Sequence, residues 1–183
     1  MTRIAGIVLA GGAGTRAGGP KALLRMPGGE SWIDRSVAAL LDGGCDRVIV
    51  VLGAMERLAR PLVPDVSRVT IVVADDWETG MSASLRAGLR AVTEDAALVT
   101  LVDLPELPGS VVKRCVADAS REALRQAVFG GRPGHPVLIG ADHLAAAADS
   151  VEGDRGARAY LVAHGVTEVE CGDLWDGVDR DAG

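Results

Sequence analysis

Short apolar runs alternate along the chain with longer stretches in which apolar residues recur every three or four positions. The runs over residues 4–10, 47–52, 69–74 and 97–102 are rich in Val, Ile and Leu. Nearly continuous apolarity of that kind predicts strands buried on both faces. Helical spacing follows each run, over 31–41, 54–60, 82–92 and 110–119. Strand-then-helix repetition predicts βαβ units around a mainly parallel sheet, because parallel neighbours need a crossover connection.

After Ser120 the alternation loosens. Strands are expected near 127–129, 137–139 and 166–170, and helices over 142–148 and 156–163, with a turn-rich segment at 130–136. No linker-like composition divides the 183 residues, so one domain is expected over 1–183. Hydrophobic residues make up 48% of the chain but aromatics only 3%, which favours flat layers packed through Ala, Val and Leu. A net charge of −6 argues against a general nucleic-acid surface, which needs clustered cations. Cys45, Cys115 and Cys171 form no CxxC pair and have no metal-ligand spacing to His135, His143 or His164, so a reducing cytoplasm is expected. The apolar stretch 4–10 is too short to span a bilayer, so no membrane association is expected.

The distribution of charge changes this picture more than its sum does. Residues 1–29 hold Arg3, Arg16, Lys21 and Arg25 and no acid, whereas 168–183 is strongly acidic, either a solvated tail or half of a metal site. Within the basic part, Leu9-Ala10-Gly11-Gly12-Ala13-Gly14-Thr15-Arg16-Ala17-Gly18-Gly19-Pro20-Lys21 leaves the first predicted strand and turns through five glycines in nine residues. Glycine permits positive φ and lets successive N–H groups converge on an anion, while Arg16 and Lys21 add donors suited to phosphate oxygens. A P-loop is excluded because Gly19 is followed by Pro20, Lys21 and Ala22, with no hydroxyl after the lysine. Gly12, Gly14 and Ala17, with Glu30 downstream, satisfy a loose dinucleotide fingerprint. Pro20, Pro27, Gly28 and Gly29 interrupt the helix that this motif requires.

The same stretch resembles the signature of the MobA-like nucleotidyltransferases: Leu-Ala-Gly-Gly, then Gly-x-Arg-x-Gly and Pro-Lys. Three further elements resemble the molybdenum cofactor cytidylyltransferase, or MocA-like, branch. They are Gly80-Met81-Ser82-Ala83-Ser84-Leu85-Arg86-Ala87-Gly88-Leu89, Gly134-His135-Pro136 and Gly153-Asp154-Arg155-Gly156-Ala157-Arg158. The resemblance implies an α/β, three-layer Rossmann-like nucleotidyltransferase fold. It places the nucleotide on Leu9, Ala10, Gly11, Gly12, Ala13, Gly14, Thr15, Arg16, Lys21, Gly80, Met81 and Ser82. It places the acceptor on His135, Asp154, Arg155 and Arg158, with residues 1–103 as the nucleotide part and 104–183 as the acceptor part.

Transfer at an α-phosphorus calls for Mg²⁺ held by carboxylates and phosphates. Asp103 directly follows the run 97–102, at the carboxyl edge of a predicted central strand, where it serves as either a metal ligand or a turn residue. The resemblance selects the metal role, since Asp103-Leu104-Pro105 matches the family's Asp-x-Pro element. A late Asp-x-Asp-Thr-Pro element is matched only by Asp179-Arg180-Asp181-Ala182-Gly183, where Ala182 and Gly183 replace Thr and Pro. Asp181 is the implied second ligand, with Asp179 in reserve. Asp75 and Asp76 close another predicted strand and read as solvated turn residues or as ribose or metal contacts.

The expected activity is transfer of a nucleotide monophosphate, CMP in first place, from CTP or GTP to a small phosphorylated acceptor. Arg16, Lys21 and Asp103 are the expected catalytic residues. By resemblance the acceptor is a molybdopterin-type cofactor, handed on to a partner enzyme. A methylerythritol phosphate, a phospholactate or a sugar phosphate is the alternative. A nucleotide-binding module without catalysis and a dinucleotide oxidoreductase are the readings from other classes.

Overall fold

The computed structural model describes residues 1–14 and 18–179. Among them the strands are β1 (Ile4–Ala10), β2 (Arg47–Leu52), β3 (Val69–Val73), β4 (Ala96–Leu101), β5 (Leu124–Phe129), β6 (Arg132–Gly140) and β7 (Thr167–Glu170). They form one sheet in the order β3-β2-β1-β4-β6-β5-β7. All pairings are parallel except those of β6 with β4 and β5, so the expected mainly parallel α/β sheet is what the chain forms.

Period-two alternation sorts the strand residues into two cores. Val8, Val48, Val50 and Leu98 face one layer, and Ile7, Ile49, Val51 and Val99 face the other. The first layer holds α1 (Trp32–Asp42), the short α2 (Glu56–Ala59) and α4 (Gly109–Val116). The second holds α3 (Met81–Arg90), α5 (Ala141–Ser150) and α6 (Arg158–Ala163). In α1 the buried stripe Ile33, Val37 and Leu40 follows helical spacing. Ser31 caps that helix by accepting from the Asp34 N–H at 3.0 Å, and its hydroxyl donates to Leu62 O at 3.1 Å.

From β1 the chain steps outward to β2 and β3, then α3 carries it back across the sheet to β4 on the other side of β1. The strand order therefore reverses between β1 and β4, and their carboxyl ends flank the crevice where open α/β sheets bind ligands. No helix among the described residues is long and apolar enough to cross a membrane.

The structure departs from the sequence reading around β6. The segment 130–136, expected to be turn, holds only a two-residue hairpin at Gly130 (φ 59) and Gly131 (φ 76), after which β6 runs from Arg132. Positive φ at both central residues is the hairpin geometry whose twist matches that of the flanking strands.

Two expectations follow for stability. Leu98 is fully buried in the centre of β4, so Leu98→Ala is expected to cost about 2–5 kcal/mol in urea denaturation through lost transfer energy and a residual cavity. Arg47 grips Glu94 through Nε–Oε1 at 2.9 Å and Nη2–Oε2 at 3.0 Å, which holds the Glu94 carboxyl below its ordinary 4.5 against the opposing effect of burial. A depressed carboxyl contributes stability above its unfolded pKa and loses it as pH falls through the folded one. Acidification from about 4.5 downward is therefore expected to destabilise the wild type more than Glu94→Gln, measured as denaturation midpoint against pH.

Candidate active site

Where β1 ends, the chain turns through Gly11, Gly12 and Gly14, of which Gly11 and Gly14 stand against close neighbours while Gly12 faces open space. Gly11 O accepts from the Ala54 N–H at 3.0 Å, and a Cβ on Gly11 would lie 2.3 Å from Ser84 Oγ. Gly14 has φ +61, and a Cβ there would meet Gly19 O at 1.8 Å, while Gly19 N–H donates to Gly14 O at 3.1 Å. The loop thus closes on itself through a position that only glycine fills. Pro20 then leads into a single 3-10 turn, Lys21–Leu23, which directs Lys21 back over the strand ends.

Lys21 Nζ lies 3.1 Å from Asp103 Oδ2, joining residues 82 positions apart. Asp103 stands just past β4, whose Leu101 is in register with Leu9 of β1. The other oxygen, Asp103 Oδ1, is buried and has no hydrogen-bond partner among the described residues. A buried carboxylate oxygen without a partner is costly, and a hard cation relieves that cost. Among the described residues no group of three His, Cys, Asp or Glu side chains converges as a metal site. The donor set is one carboxylate, which fits Mg²⁺, an ion that commonly takes one or two protein carboxylates and fills its sphere with phosphate oxygens and water.

Around this pair opens a cleft of about 470 Å³. Its walls include every residue from Leu9 to Gly14, together with Lys21, Gly80, Met81 and Asp103, so the residues that the sequence assigned to the nucleotide converge. Thr15, Arg16 and Asp181 lie outside the described residues. Ser82 is buried with its N–H donated to Gly153 O at 2.9 Å, and Ser84, two residues further along α3, lines the cleft instead. Asp75, Asp76 and Asp179 are exposed and line no part of the cleft.

The residues assigned to the acceptor separate. The bond from Ser82 to Gly153 brings Asp154 against the start of α3, with Oδ1 2.8 Å from where a Gly80 Cβ would stand, so Asp154 lines the cleft beside the glycine loop. His135 and Arg158 line a second, adjoining cavity, and Arg155 is exposed and lines neither. Burial pushes the His135 imidazole below its ordinary pKa, against the raising effects of the Val99 carbonyl and of Asp103, so the ring is neutral at pH 7.

The sequence reading passed over Trp77 and Glu78, which line the cleft from the 3-10 turn after β3. A signal was present, since a tryptophan at a strand's carboxyl end is conspicuous in a chain with five aromatic residues.

Comparison with known proteins gives the family and the fold. The chain is 35% identical over 189 residues to nicotine blue oxidoreductase of Paenarthrobacter nicotinovorans, covering 97% of this chain and 92% of the relative. It is 27% identical over 139 residues to the molybdenum cofactor cytidylyltransferase of Escherichia coli strain K12, covering 76% of this chain and 71% of the relative. A solved structure of a nucleotidyl transferase from Methanothermobacter thermautotroptrophicus superposes with a TM-score of 0.79 at 24% identity, over 98% of this chain and 92% of that one, which shows a shared fold. The profile described as "MobA-like NTP transferase domain" matches residues 6–169, and the chain belongs to that family.

Proposed function

We propose that the chain transfers a nucleotide monophosphate, CMP in first place, from a nucleoside triphosphate to the phosphate of a small acceptor. The observation that carries this reading is the Lys21–Asp103 pair beside the glycine loop, with Asp103 Oδ1 left unmatched at the reversal of the sheet. An acceptor phosphate oxygen attacks the α-phosphorus, the bond to the β-phosphate oxygen breaks, and pyrophosphate leaves. No covalent link to the protein is needed.

In this scheme the N–H groups of residues 11–14 orient the triphosphate, and Lys21 and Arg16 neutralise charge that grows on the phosphate oxygens. Asp103, with Asp181 as the ligand implied by the family signature, would hold a divalent cation, Mg²⁺ in first place, which supplies charge neutralisation between the carboxylate and the phosphates. Trp77 and Glu78 flank the nucleobase. Residues 1–103 carry most of the nucleotide site, and 104–183 carry the acceptor, with Asp154 reaching across to the nucleotide.

Molybdopterin is the first acceptor to assay, on the signature and on the name of one relative. Methylerythritol phosphate, a phospholactate and a sugar phosphate follow. In the molybdopterin case a partner enzyme in the cytoplasm receives the product.

A second reading is an oxidoreductase, favoured by the 35% identity to nicotine blue oxidoreductase along nearly the whole chain. Under it the cleft would bind NAD(P), and nucleoside triphosphates would not be consumed.

Pyrophosphate release separates these readings when CTP and GTP are supplied singly, with and without Mg²⁺, in the presence of the acceptors. Release with CTP, dependent on Mg²⁺, is the expected result. Saturable binding with no release would mark a non-catalytic module, and NAD(P)H turnover without release would mark the oxidoreductase. Lys21→Ala is expected to lower kcat by about 10²–10³-fold with the fold intact by circular dichroism; near-wild-type turnover would remove Lys21 from the reaction.

A further inference from the structure

Beside the cleft lies a second cavity of about 260 Å³, which shares Leu9, Met81 and Leu101 with it. Its walls are aliphatic: Leu85, Val99, Val137, Ile139 and Leu161 come from α3, β4, β6 and α6, and all five are buried. Sites that hold a whole small molecule measure roughly 300–1,000 Å³, so this space suits one ring of a ligand. Apolar walls hold water poorly, which leaves an apolar guest as the better occupant.

Polar side chains on the wall are few: His135, Gln126 and the exposed Arg158. His135 Nδ1 lies 3.4 Å from Val99 O. A carbonyl can only accept, so that nitrogen carries the hydrogen and Nε2 is left as an acceptor. Gln126 Nε2 donates to Gly134 O at 3.2 Å, and its Oε1 has no partner among the described residues. Both residues line the cavity and each keeps one acceptor, while the exposed Arg158 brings positive charge and N–H donors to the same wall.

We propose that this cavity holds a flat, weakly polar aromatic ring carrying an N–H or O–H on its edge, as the body of the second substrate that meets the nucleotide in the cleft. An edge donor matches Nε2 of His135 or Oε1 of Gln126, and the ring faces fill the aliphatic space. A polyol would bury hydroxyls that the walls cannot serve. A pterin, the body of the molybdopterin-type acceptor that the signature puts first, carries several ring acceptors as well as donors, and Arg158 is the one charged side-chain donor on this wall among the described residues, so the cavity ranks a pterin below a weakly polar ring. The ring's role as second substrate rests on the transferase reading, while its seat is formed without the nucleotide and is tested apart from it.

The test is calorimetric titration of the full chain, without nucleotide, with indole, 1-methylindole and 6-methylpterin. Indole is expected to bind, and 1-methylindole, which lacks the edge donor, to bind about ten-fold more weakly. The pterin is expected to bind more weakly than indole. Leu161→Trp, which fills the cavity with its own ring, is expected to abolish indole binding, with CTP affinity as the control for folding. Should that variant not fold, Gln126→Leu is expected to remove most of the preference for indole over 1-methylindole. No indole binding to the wild type, equal binding by Leu161→Trp, or tighter binding of the pterin overturns the proposal. Indole binding without CTP binding keeps the ring site and sinks the transferase reading; CTP binding without indole binding does the reverse.

Discussion

Two strand ends of opposite consequence are forced together by the reversal of the sheet between β1 and β4. One leads into a glycine loop whose only described side-chain cation is Lys21, and the other leads into Asp103. Their contact at 3.1 Å, with both side chains about one-fifth exposed, satisfies one carboxylate oxygen and leaves the second buried without a partner. A polyphosphate entering this cleft meets an attractive lysine and a repellent carboxylate at once. In the proposed reaction a divalent cation reconciles the two, by converting the carboxylate from an obstacle into a second hold on the phosphates.

The rest of the architecture keeps that pair in place and brings the other parts to it. The first α/β layer anchors β1 and β4 through Val8 and Leu98, while the opposite layer carries α3 to the mouth of the cleft. The bond from Ser82 to Gly153 pins the 153–154 turn to the start of α3 and gives the cleft a third wall, remote in sequence. An aliphatic cavity continues from the same floor and shares Leu9 and Leu101 with the cleft, which is where the two proposed substrates would meet.

The meeting of the glycine loop, Lys21 and Asp103 in one cleft was legible in the sequence because its determinants are local. A glycine loop after an apolar run, and an acid at the end of another, carry their positions with them once the βαβ pattern is read. The segment 130–136 misled because Gly and Pro there mark breaks in most contexts. In the fold, Gly130 and Gly131 make a two-residue turn, Pro133 sits where the β5–β6 register shifts, and Pro136 lies outside the ladder pairs on either side. Asp154 was assigned to the acceptor by the family resemblance, and nothing in local spacing reveals that its turn docks on α3 beside the cleft. The second cavity was invisible for the same reason, since its walls are contributed by strands and helices spread from Leu9 to Leu161. Thr15, Arg16 and Asp181 stay as the family signature gives them.

The account rests most heavily on the unmatched oxygen of Asp103. Its most direct test is a crystal structure with CTP and Mn²⁺ in place of Mg²⁺, using anomalous scattering to locate the metal. The account expects a single strong peak bonded to Asp103 Oδ1 and to phosphate oxygens of CTP held by the glycine loop. A nucleotide bound in the cleft with no metal on Asp103, or a metal held elsewhere, would contradict it.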